Sequence, residues 1–573
     1  MANPVRLCED GYFRTTDGRL YVPLGGLHGN FAPLSMLKLT EQDKQTLKGK
    51  TWGRMADLLD LREPVLRGWF ALLKQNGVNS LRWFPRLRVG SDVLELCGKV
   101  NPELKEGFSR VLAVAKDYDI RVLLQILPEP GRTGYWGSYA MNGYVRRRFT
   151  KTELEGLTKA QKKFIIQGQR SRGRAFFESE DVLACQKLYL ADALEWVASE
   201  PQLFALELYN EQGWHSGANI DGEWKRVFIF SWEDVEIRWS AQIVETIRRR
   251  LPEMPVCISH PGFGVTGYDP VKWMRGAKAD FYSSHLYAHL CGASSEIDFA
   301  ALTGATTALC RAASVNFPGE WGTLDGGLDE KLRVRVHRDA VWLSLLAGAP
   351  GFMQWDHRQL GVYRRVADVV AALPKGFSPA PAPLAVEIGP QYRRFQDNSR
   401  YKGYSPEGPI NAFAFVKAKH ADENLRRMYA AYVRSLTIGA AIRFTMGQRG
   451  AMPLARFEKS SPDKLPRPIR AVGGYQLAWM KDAKTATYVG YLRSRAVQKV
   501  RGKFLGVPVA APLTMELDLP AEGGPYALYL LNLDTDKVSK RAVSSDARIK
   551  IADSTSDDFV FILAPEGVGI ELD

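Results

Sequence analysis

The sequence predicts an α/β fold: a (β/α)8 TIM barrel followed by a C-terminal β-rich region that resembles a β-sandwich. Two observations predict this. Over roughly 350 residues, eight short apolar segments are separated mostly by longer amphipathic segments, the strand and helix order of such a barrel. From about residue 470, short β-branched and aromatic segments are separated by turn residues, as is typical of a β-sandwich.

The elements of the barrel are predicted in chain order. A hairpin turning at Asp17-Gly18 precedes the first inner strand, YVPLGGL. The helices that follow are predicted from apolar residues spaced three and four apart, and they cover residues 62–76, 102–118, 181–199, 230–251, 296–313 and 328–347. The remaining strands are predicted at Asn79–Pro85, Arg121–Leu127, Phe204–Leu208, Met254–Ser259, Asp280–Tyr287, Ser314–Glu320 and Gly351–His357.

The chain divides into three predicted regions. Residues 1–373 form the barrel, with a basic, aromatic insertion at 128–180 after the third strand. Residues 374–465 begin with the proline-rich run PKGFSPAPAPLAVEIGP and are interpreted as a connector or accessory region. Residues 466–573 are predicted to form the β-sandwich-like region.

Composition narrows the classes of function. The net charge of +14 comes from 77 basic and 63 acidic residues, without a long basic tract, so we expect no nucleic-acid partner. Six scattered cysteines indicate neither a disulfide framework nor a metal cluster. The 14 Trp suit a sugar-stacking surface, and the alternative is that most of them lie in the core.

The location of the protein is predicted from what the printed sequence contains. No run approaches the about 18 apolar residues that a membrane span needs, and the first residues lack a hydrophobic targeting core. We therefore expect a cytoplasmic protein with no membrane partner. The alternative is a secreted or periplasmic protein whose signal peptide was removed. The oligomeric state is left open.

Polar side chains follow several predicted strands where each strand ends. Because the carboxyl ends of barrel strands meet at one mouth, we expect these residues to become neighbours: Arg82, Asn210, Glu211, His285, Tyr287, Glu320 and Trp355. Hydrolysis of a glycosidic bond needs such a set, because one carboxyl group protonates the leaving oxygen while the other attacks the sugar or activates water.

These motifs together resemble clan A of the glycoside hydrolases, and most of all family five, the cellulase and β-mannanase group. The resemblance covers roughly residues 11–360 and rests on the order and spacing of its motifs. The motifs are GRLYVPLGGLHGN, Arg82 in NSLRWFP, Asn210 and Glu211 in LELYNEQ, His285 and Tyr287 in SSHLY, Glu320 in PGEWG, and Trp355 in MQWDH.

The resemblance implies a role for each matched residue. It implies a retaining β-glycosidase with Glu211 as acid/base, Glu320 as nucleophile and carboxyl groups about 5 Å apart. It further implies that Asn210 binds the sugar 2-hydroxyl and that Arg82 and Tyr287 contact the nucleophile. His285 is implied to be a functional residue of the site, and Trp355 is implied to form the floor of the sugar site. No metal or organic cofactor is implied, and the partner is an oligo- or polysaccharide.

Two positions depart from the family pattern. Leu127 stands where the family usually has a histidine late in the third strand, and Gln212 stands where a proline usually follows the glutamate. These departures indicate a divergent member whose substrate need not be that of better-known relatives.

Several residues have competing interpretations. Glu211 could instead be a helix-capping carboxylate and Glu320 part of a turn, and the corresponding alternative function is a non-catalytic carbohydrate-binding protein on the same barrel. Glu207 has the strand parity of Glu211 and is predicted to be buried against a basic group. Further aromatic candidates for substrate contact are Trp136, Trp214 and Trp321.

The insertion at 128–180 should hang over the mouth, because it follows a barrel strand. Its basic character would suit an anionic sugar such as a uronic acid. The alternative is a solvated basic loop or an oligomer contact.

Overall fold

The computed structural model describes most of the barrel and of the C-terminal region. The described residues are 5–28, 31–48, 51–52, 55–84, 102–127, 155, 177–178, 180–212, 214–220, 223–228, 233–261, 270–287, 298–313, 316–322, 330–355, 359–389, 423–472, 475–494, 497–500, 503–506, 513–517, 524–544, 548–551 and 558–572. Among their helices, none has the length and apolarity that crossing a bilayer demands.

Eight parallel strands form the barrel predicted from the sequence. They are β1 (Leu24–His28), β2 (Ser80–Trp83), β3 (Arg121–Gln125), β4 (Leu203–Glu207), β5 (Val256–Pro261), β6 (Phe281–Tyr287), β7 (Asn316–Gly322) and β8 (Phe352–Met353). Their order is β7-β6-β5-β4-β3-β2-β1-β8. The two ends of this order meet where the backbone N–H of Trp355 donates to the carbonyl of Trp321 at 2.5 Å, so the sheet closes.

A helix follows each barrel strand. These helices are α1 (Glu63–Gln75), α2 (Pro102–Asp117), α3 (Glu180–Val197), α4 (Glu233–Arg250), α5 (Pro270–Ala277), α6 (Phe299–Ala313), α7 (Glu330–Leu346) and α8 (Val362–Ala372). In α1 the buried residues Leu66, Trp69, Phe70 and Leu73 recur at helical spacing and face the barrel. Helices α5 and α8 were not predicted, and α5 is only eight residues long, too short to show a sustained periodic pattern.

A three-stranded antiparallel sheet at the N-terminus closes one end of the barrel, and its strands Phe13–Thr15 and Leu20–Tyr21 form the hairpin predicted at Asp17-Gly18. Strands Val5–Leu7 and Phe13–Thr15 pair antiparallel, and the ring of Phe13 meets those of Phe204 and Phe281 at 5.4 and 5.6 Å, edge to face. Phe204 and Phe281 lie near the amino-terminal ends of their strands. The polar mouth is therefore left at the other end.

The region after α8 has more regular structure than a connector would. A three-stranded parallel sheet in the order β10-β9-β11 consists of β9 (Leu384–Glu387), β10 (Ile442–Thr445) and β11 (Met452–Pro453). Helices α9 (Glu423–Ile438) and α10 (Leu454–Lys459) accompany it. The segment NLRRMYAAYVRSL, whose sequence is compatible with a helix, lies within α9, whereas AFAFVKA, compatible with a strand, lies outside the described residues.

The C-terminal region contains antiparallel sheets, as predicted. Its strands are β12 (Ile469–Val472), β13 (Tyr475–Lys481), β14 (Tyr488–Ser494), β15 (Val497–Val500), β16 (Lys503–Gly506), β17 (Leu513–Leu517), β18 (Tyr526–Asn532), β19 (Val538–Val543), β20 (Arg548–Ile551) and β21 (Asp558–Pro565). A five-stranded sheet, β13-β14-β21-β18-β19, and a three-stranded sheet, β12-β17-β20, share one apolar cluster, while β15 and β16 form a hairpin.

The other face of the five-stranded sheet packs on the barrel. Tyr491, Val560 and Ile562 belong to the same buried cluster as the barrel helices. Tyr491 stacks on Trp342 of α7 with ring centroids 6.1 Å apart. Apolar packing therefore continues from the barrel into the C-terminal sheet without a break.

Buried ion pairs cross this same contact. Arg493 of β14 donates to Asp298 at 2.6 Å and to Asp339 of α7 at 3.2 Å. The Tyr491 hydroxyl donates to the other oxygen of Asp339 at 2.5 Å, and Arg338 of α7 pairs with Asp558. Buried charges of this kind are tolerated only when they are paired, so the contact is specific in register.

We expect Asp339→Asn to change how stability depends on pH. Burial, and next the negative charge of Asp558, raise the pKa of Asp339 to about 6, against the opposing charges of Arg493 and Arg335. A carboxyl group with a raised folded-state pKa stabilises the fold while it is protonated, and this contribution is lost as pH rises through 6. Between pH 4.5 and 7 the loss is about 2 kcal/mol.

Urea unfolding of the parent and Asp339→Asn proteins at both pH values checks this prediction. Groups far from Asp339 titrate alike in the two proteins, so on going to pH 7 the free energy of unfolding of the variant should fall less, or rise more, than that of the parent. An identical pH difference in both proteins would contradict it.

Candidate active site

Arg82 lies at the centre of the polar cluster at the barrel mouth. Its guanidinium donates to both carboxylate oxygens of Glu207 at 2.8 and 2.6 Å, to Oδ1 of Asn210 at 2.8 Å and to Oε2 of Glu320 at 2.7 Å. The predicted pairing of Arg82 with Glu320, and of Glu207 with a basic group, is confirmed. One buried cation thus links strands β2, β4 and β7.

The charge of Arg82 is stabilised by its acidic neighbours. Complete burial by itself would lower the pKa of Arg82, but the negative charges of Glu207 and then Glu320 outweigh it, and the pKa lies above its ordinary value. A permanently charged guanidinium beside Glu320 favours the ionised form of that carboxyl group.

Glu211 and Glu320 face each other across His285. A carboxylate oxygen of each glutamate and a ring nitrogen of His285 all lie within 4.8 Å of one another. Nδ1 of His285 is 3.3 Å from Oε1 of Glu211 and 3.5 Å from Oε2 of Glu320. Glu211 is 7% exposed and Glu320 4% exposed, so the pair sits in a largely desolvated pocket.

Glu320 reaches the mouth because β7 approaches β6 closely. A Cβ placed on the preceding Gly319 would lie 1.8 Å from Oγ of Ser283. Glycine removes this clash, and β7 can then pair with β6 such that Glu320 lies opposite His285. The PGEWG motif therefore has a packing reason as well as a chemical one.

Glu211 follows β4 in a tight turn with unusual backbone geometry. Its φ is 55°, in the left-handed region that residues other than glycine seldom adopt. Its backbone N–H donates to Oγ of Ser259 at 2.9 Å, and the N–H of Asn210 donates to Oε1 of Gln125 at 3.2 Å. Hydrogen bonds from both neighbouring strands thus hold the turn.

Ser259 and Gln125 were not predicted as site residues. Ser259 comes at the end of an apolar strand segment, the same signal that identified Asn210 and Glu211, whereas Gln125 lies inside the run RVLLQIL. A serine after such a run, or a glutamine inside one, is common enough that no chemistry singles it out. Only the folded arrangement shows that they contact the turn that bears Glu211.

His260 is buried near the site, and its environment keeps its ring neutral. Burial, followed by the charge of His285, holds its pKa well below the ordinary value. The ring packs against Trp273 and Tyr282, with centroids 4.3 and 5.3 Å away. It therefore belongs to the packing between barrel and helices rather than to the mouth.

Glu211, His285 and Glu320 also carry atom types that bind metal ions. However, Arg82 donates to Oε2 of Glu320, one of the oxygens nearest His285. A guanidinium at 2.7 Å repels a divalent cation and already uses a lone pair of that oxygen. The cluster suits acid–base and nucleophilic chemistry better than metal binding.

Other predicted substrate contacts are only partly described. Trp355 is half-buried directly after β8, at the mouth end of the barrel. Tyr287 ends β6 and Trp214 begins the strand Trp214–Ile220, but their side chains lie outside the described residues, as do Trp136 and nearly all of the insertion at 128–180. Substrate contact by these residues stays a prediction.

Trp321 does not lie with the site, which corrects its prediction as a substrate contact. It is 1% exposed, its ring stacks on Phe299 and His337 with centroids 5.3 and 4.9 Å away, and its Nε1 donates to Thr303. The reason is strand parity: because Glu320 faces the barrel interior, the next residue faces the helices.

We expect Trp321→Phe and Trp355→Phe to act on different properties. Trp321→Phe removes a buried hydrogen bond and part of a packed ring, so the free energy of unfolding should fall by about 1–3 kcal/mol while KM stays unchanged. Trp355→Phe should raise KM with little change in stability. Urea unfolding and saturation kinetics on both variants check this, and a raised KM for Trp321→Phe would reinstate it at the site.

The fold and the mouth together define a class. Eight parallel strands with intervening helices place two carboxyl groups, an arginine, a histidine and an amide at the carboxyl-terminal end of the barrel. Two carboxyl groups at this end of such a barrel are a set that hydrolysis of a glycosidic bond can use. The architecture is that of a glycosidase-like barrel.

Solved structures with this architecture resemble the chain. A GH5_18 protein from Streptomyces cattleya, solved with GlcNAc, is 12% identical, with a TM-score of 0.48 over 70% of this chain and 95% of that one. An exo-β-1,4-mannosidase from an Opitutaceae bacterium is 14% identical, with a TM-score of 0.47 over 80% of this chain and 74% of that one. A glycoside hydrolase family 5 protein from Bacteroides vulgatus is 10% identical, with a TM-score of 0.44 over 99% of this chain and 96% of that one.

The sequence matches no protein-family model and no curated protein sequence. The class therefore rests on the strand order and mouth residues of this chain.

Proposed function

We propose that the protein is a retaining β-glycosidase in which Glu320 is the nucleophile and Glu211 the acid/base. The observation that carries this proposal is the separation of the two carboxylates, whose nearer oxygens lie within 4.8 Å of each other. Retaining enzymes need about 5–5.5 Å between the carboxyl groups, whereas inverting enzymes need about 6.5–9.5 Å to admit a water molecule.

In the first step a carboxylate oxygen of Glu320 attacks the anomeric carbon. The bond from that carbon to the leaving oxygen breaks, and its electron pair goes to the leaving oxygen. Glu211 supplies the proton that this oxygen takes up. The aglycone departs, and a glycosyl ester on Glu320 and a Glu211 carboxylate are left.

In the second step water attacks the anomeric carbon from the face that the aglycone left. The Glu211 carboxylate takes one proton from this water. The ester bond breaks and returns its electron pair to Glu320, so both glutamates regain their starting protonation states. Two inversions at the same carbon give net retention.

The asymmetry between the two glutamates supports these roles. Arg82 contacts Glu320 at 2.7 Å, and Glu211 is not among its hydrogen-bond partners in the described part of the chain. A permanent positive charge favours the ionised nucleophile, while the acid must hold a proton. His285 lies between them and can stabilise whichever carboxylate carries the charge.

The substrate is proposed to be a β-linked oligosaccharide, polysaccharide or glycoside. Asn210, held by Arg82, would present its amide N–H group to a sugar hydroxyl. Trp355 would stack beneath the ring. Selection of an anionic sugar would require the basic insertion at 128–180 to reach the mouth, and this stays a prediction.

Turnover of a panel of aryl β-glycosides and polysaccharides tests the proposal. Proton NMR of the first-formed product should show the β anomer before mutarotation. An α anomer would mean inversion and would overturn Glu320 as nucleophile.

The alternative function is a non-catalytic carbohydrate-binding protein on the same barrel. It predicts measurable binding of a saccharide by calorimetry together with no turnover of any substrate in the panel. Turnover that is lost in Glu320→Gln excludes it.

A further inference from the structure

We propose that Ser259 is a positioning residue for Glu211 and sets how well that carboxyl group delivers its proton. The inference rests on the proposed function, since it concerns the acid/base step. It arises from three hydrogen bonds that Ser259 makes with the turn Tyr209–Gln212, and nothing in the sequence motif itself identifies it.

The turn that carries Glu211 needs external support. A left-handed backbone is unfavourable by about 1–2 kcal/mol for a residue with a Cβ. Such a conformation persists only where the surroundings determine it. At φ 55°, Glu211 would relax towards an ordinary conformation if its hydrogen bonds were removed, and its carboxyl group would move with it.

Ser259 supplies this support from the adjacent strand β5. Its Oγ accepts from the backbone N–H of Glu211 at 2.9 Å, and the same hydroxyl donates to the carbonyl of Tyr209 at 3.3 Å. Its backbone carbonyl accepts from the N–H of Gln212 at 2.7 Å. The serine is completely buried, so water does not reach the hydroxyl to compete for these bonds.

Gln212 makes this arrangement possible. A proline at this position would have no N–H for the Ser259 carbonyl, and its ring would restrict the backbone of Glu211. Gln212 instead donates its side-chain amide to Ser240 of α4 at 3.0 Å. In this chain hydrogen bonds to Ser259 and α4 therefore hold the turn, and the proline that usually stands at this position in the family could make neither of these bonds from Gln212.

The role of Ser259 predicts a dependence on the leaving group. An aryl glycoside with a poor leaving group, such as phenol, needs the proton from Glu211 in the first step. From a 2,4-dinitrophenyl glycoside, 2,4-dinitrophenolate leaves as a stable anion without that proton. If only Glu211 is displaced, hydrolysis of the phenyl glycoside should therefore slow, while hydrolysis of the 2,4-dinitrophenyl glycoside should not.

The experiment compares Ser259→Ala with the parent on phenyl and 2,4-dinitrophenyl β-glycosides of the sugar that the parent turns over. We expect kcat/KM to fall about 10–100-fold for the phenyl glycoside, as for a displacement of about 1 Å, and less than about 3-fold for the dinitrophenyl glycoside. Ser259→Thr, which keeps the hydroxyl, should recover most of the phenyl activity.

The matched control is Ser284→Ala on the neighbouring strand β6. Ser284 is equally buried, and its hydroxyl has no hydrogen-bond partner among the described residues. It should leave both activities unchanged.

Three outcomes decide the matter, with urea unfolding showing the folded fraction of each variant. A selective loss on the phenyl substrate supports the role of Ser259. Equal losses on both substrates, or no loss on either, in an active parent overturn this inference alone. An inert parent overturns the proposed function, and the inference with it. If Ser259→Ala does not fold, the same comparison is made with Ser259→Cys, whose thiol is a weak hydrogen-bonding group.

Discussion

Glu320→Gln should lower kcat on an aryl β-glycoside by at least about 10⁴-fold, the order seen when a residue acting directly in covalent chemistry is removed. The amide is almost the same size as the carboxylate but cannot form the glycosyl ester. Its neighbour Arg82 keeps its pairing with Glu207, so the fold should survive. Glu211→Gln should lose about 10²–10⁴-fold, and most for poor leaving groups.

Azide distinguishes the two glutamates by stereochemistry. In Glu211→Ala, azide can attack the glycosyl ester on Glu320 from the face the aglycone left, giving a β-glycosyl azide. In Glu320→Ala, azide can enter the space of the missing carboxylate and displace a good leaving group directly, giving an α-glycosyl azide. Proton NMR of the products reads this out, and the reverse pattern would exchange the two roles.

Arg82→Met should lower the free energy of unfolding by about 3–5 kcal/mol at pH 7, because it leaves two buried carboxylates without their cation. Glu207 is completely buried and Glu320 nearly so, and both depend on this guanidinium. Activity should fall together with stability, since Asn210 and Glu320 lose the group that holds them.

A double-mutant cycle tests whether the buried charge is the cause. Glu207→Gln added to Arg82→Met removes one uncompensated charge, so part of the lost stability should return. The surface variant Arg249→Met breaks an ion pair whose partners are 75% and 61% exposed, and should show no measurable effect. If the double variant loses more free energy of unfolding than the two single variants lose together, desolvated charge is not the reason for the loss in Arg82→Met.

The barrel was predictable because its strands and most of its helices carry their own local pattern. α1 is apolar on one face with helical spacing, and β4 is an apolar run that is interrupted only by Glu207 and followed by the polar turn that bears Glu211. The meeting of Arg82, Asn210 and Glu320 followed from one geometric rule, that the carboxyl ends of barrel strands share a mouth.

What was not predictable depends on contacts between distant segments. Ser259 became part of the site through a turn 50 residues away in the chain. Trp321 is not part of the site because strand parity directs its ring towards the helices. A motif match to PGEWG takes no account of this parity. The parallel sheet of β9, β10 and β11 was missed because its strands are two to four residues long, too short for a periodic pattern, and β9 lies more than 50 residues from both of its partners.

The continuous packing between the five-stranded sheet and α7 has a consequence for the history of this chain. A detachable binding module would have a polar face towards its neighbour, and it could be exchanged between proteins by recombination at a linker. Here Tyr491, Val560 and Ile562 would be exposed by such a cut, and Asp339 and Arg493 would lose each other. We therefore expect the barrel and the C-terminal sheet to be inherited together, and a substitution on one side of the contact to require a compensating one on the other.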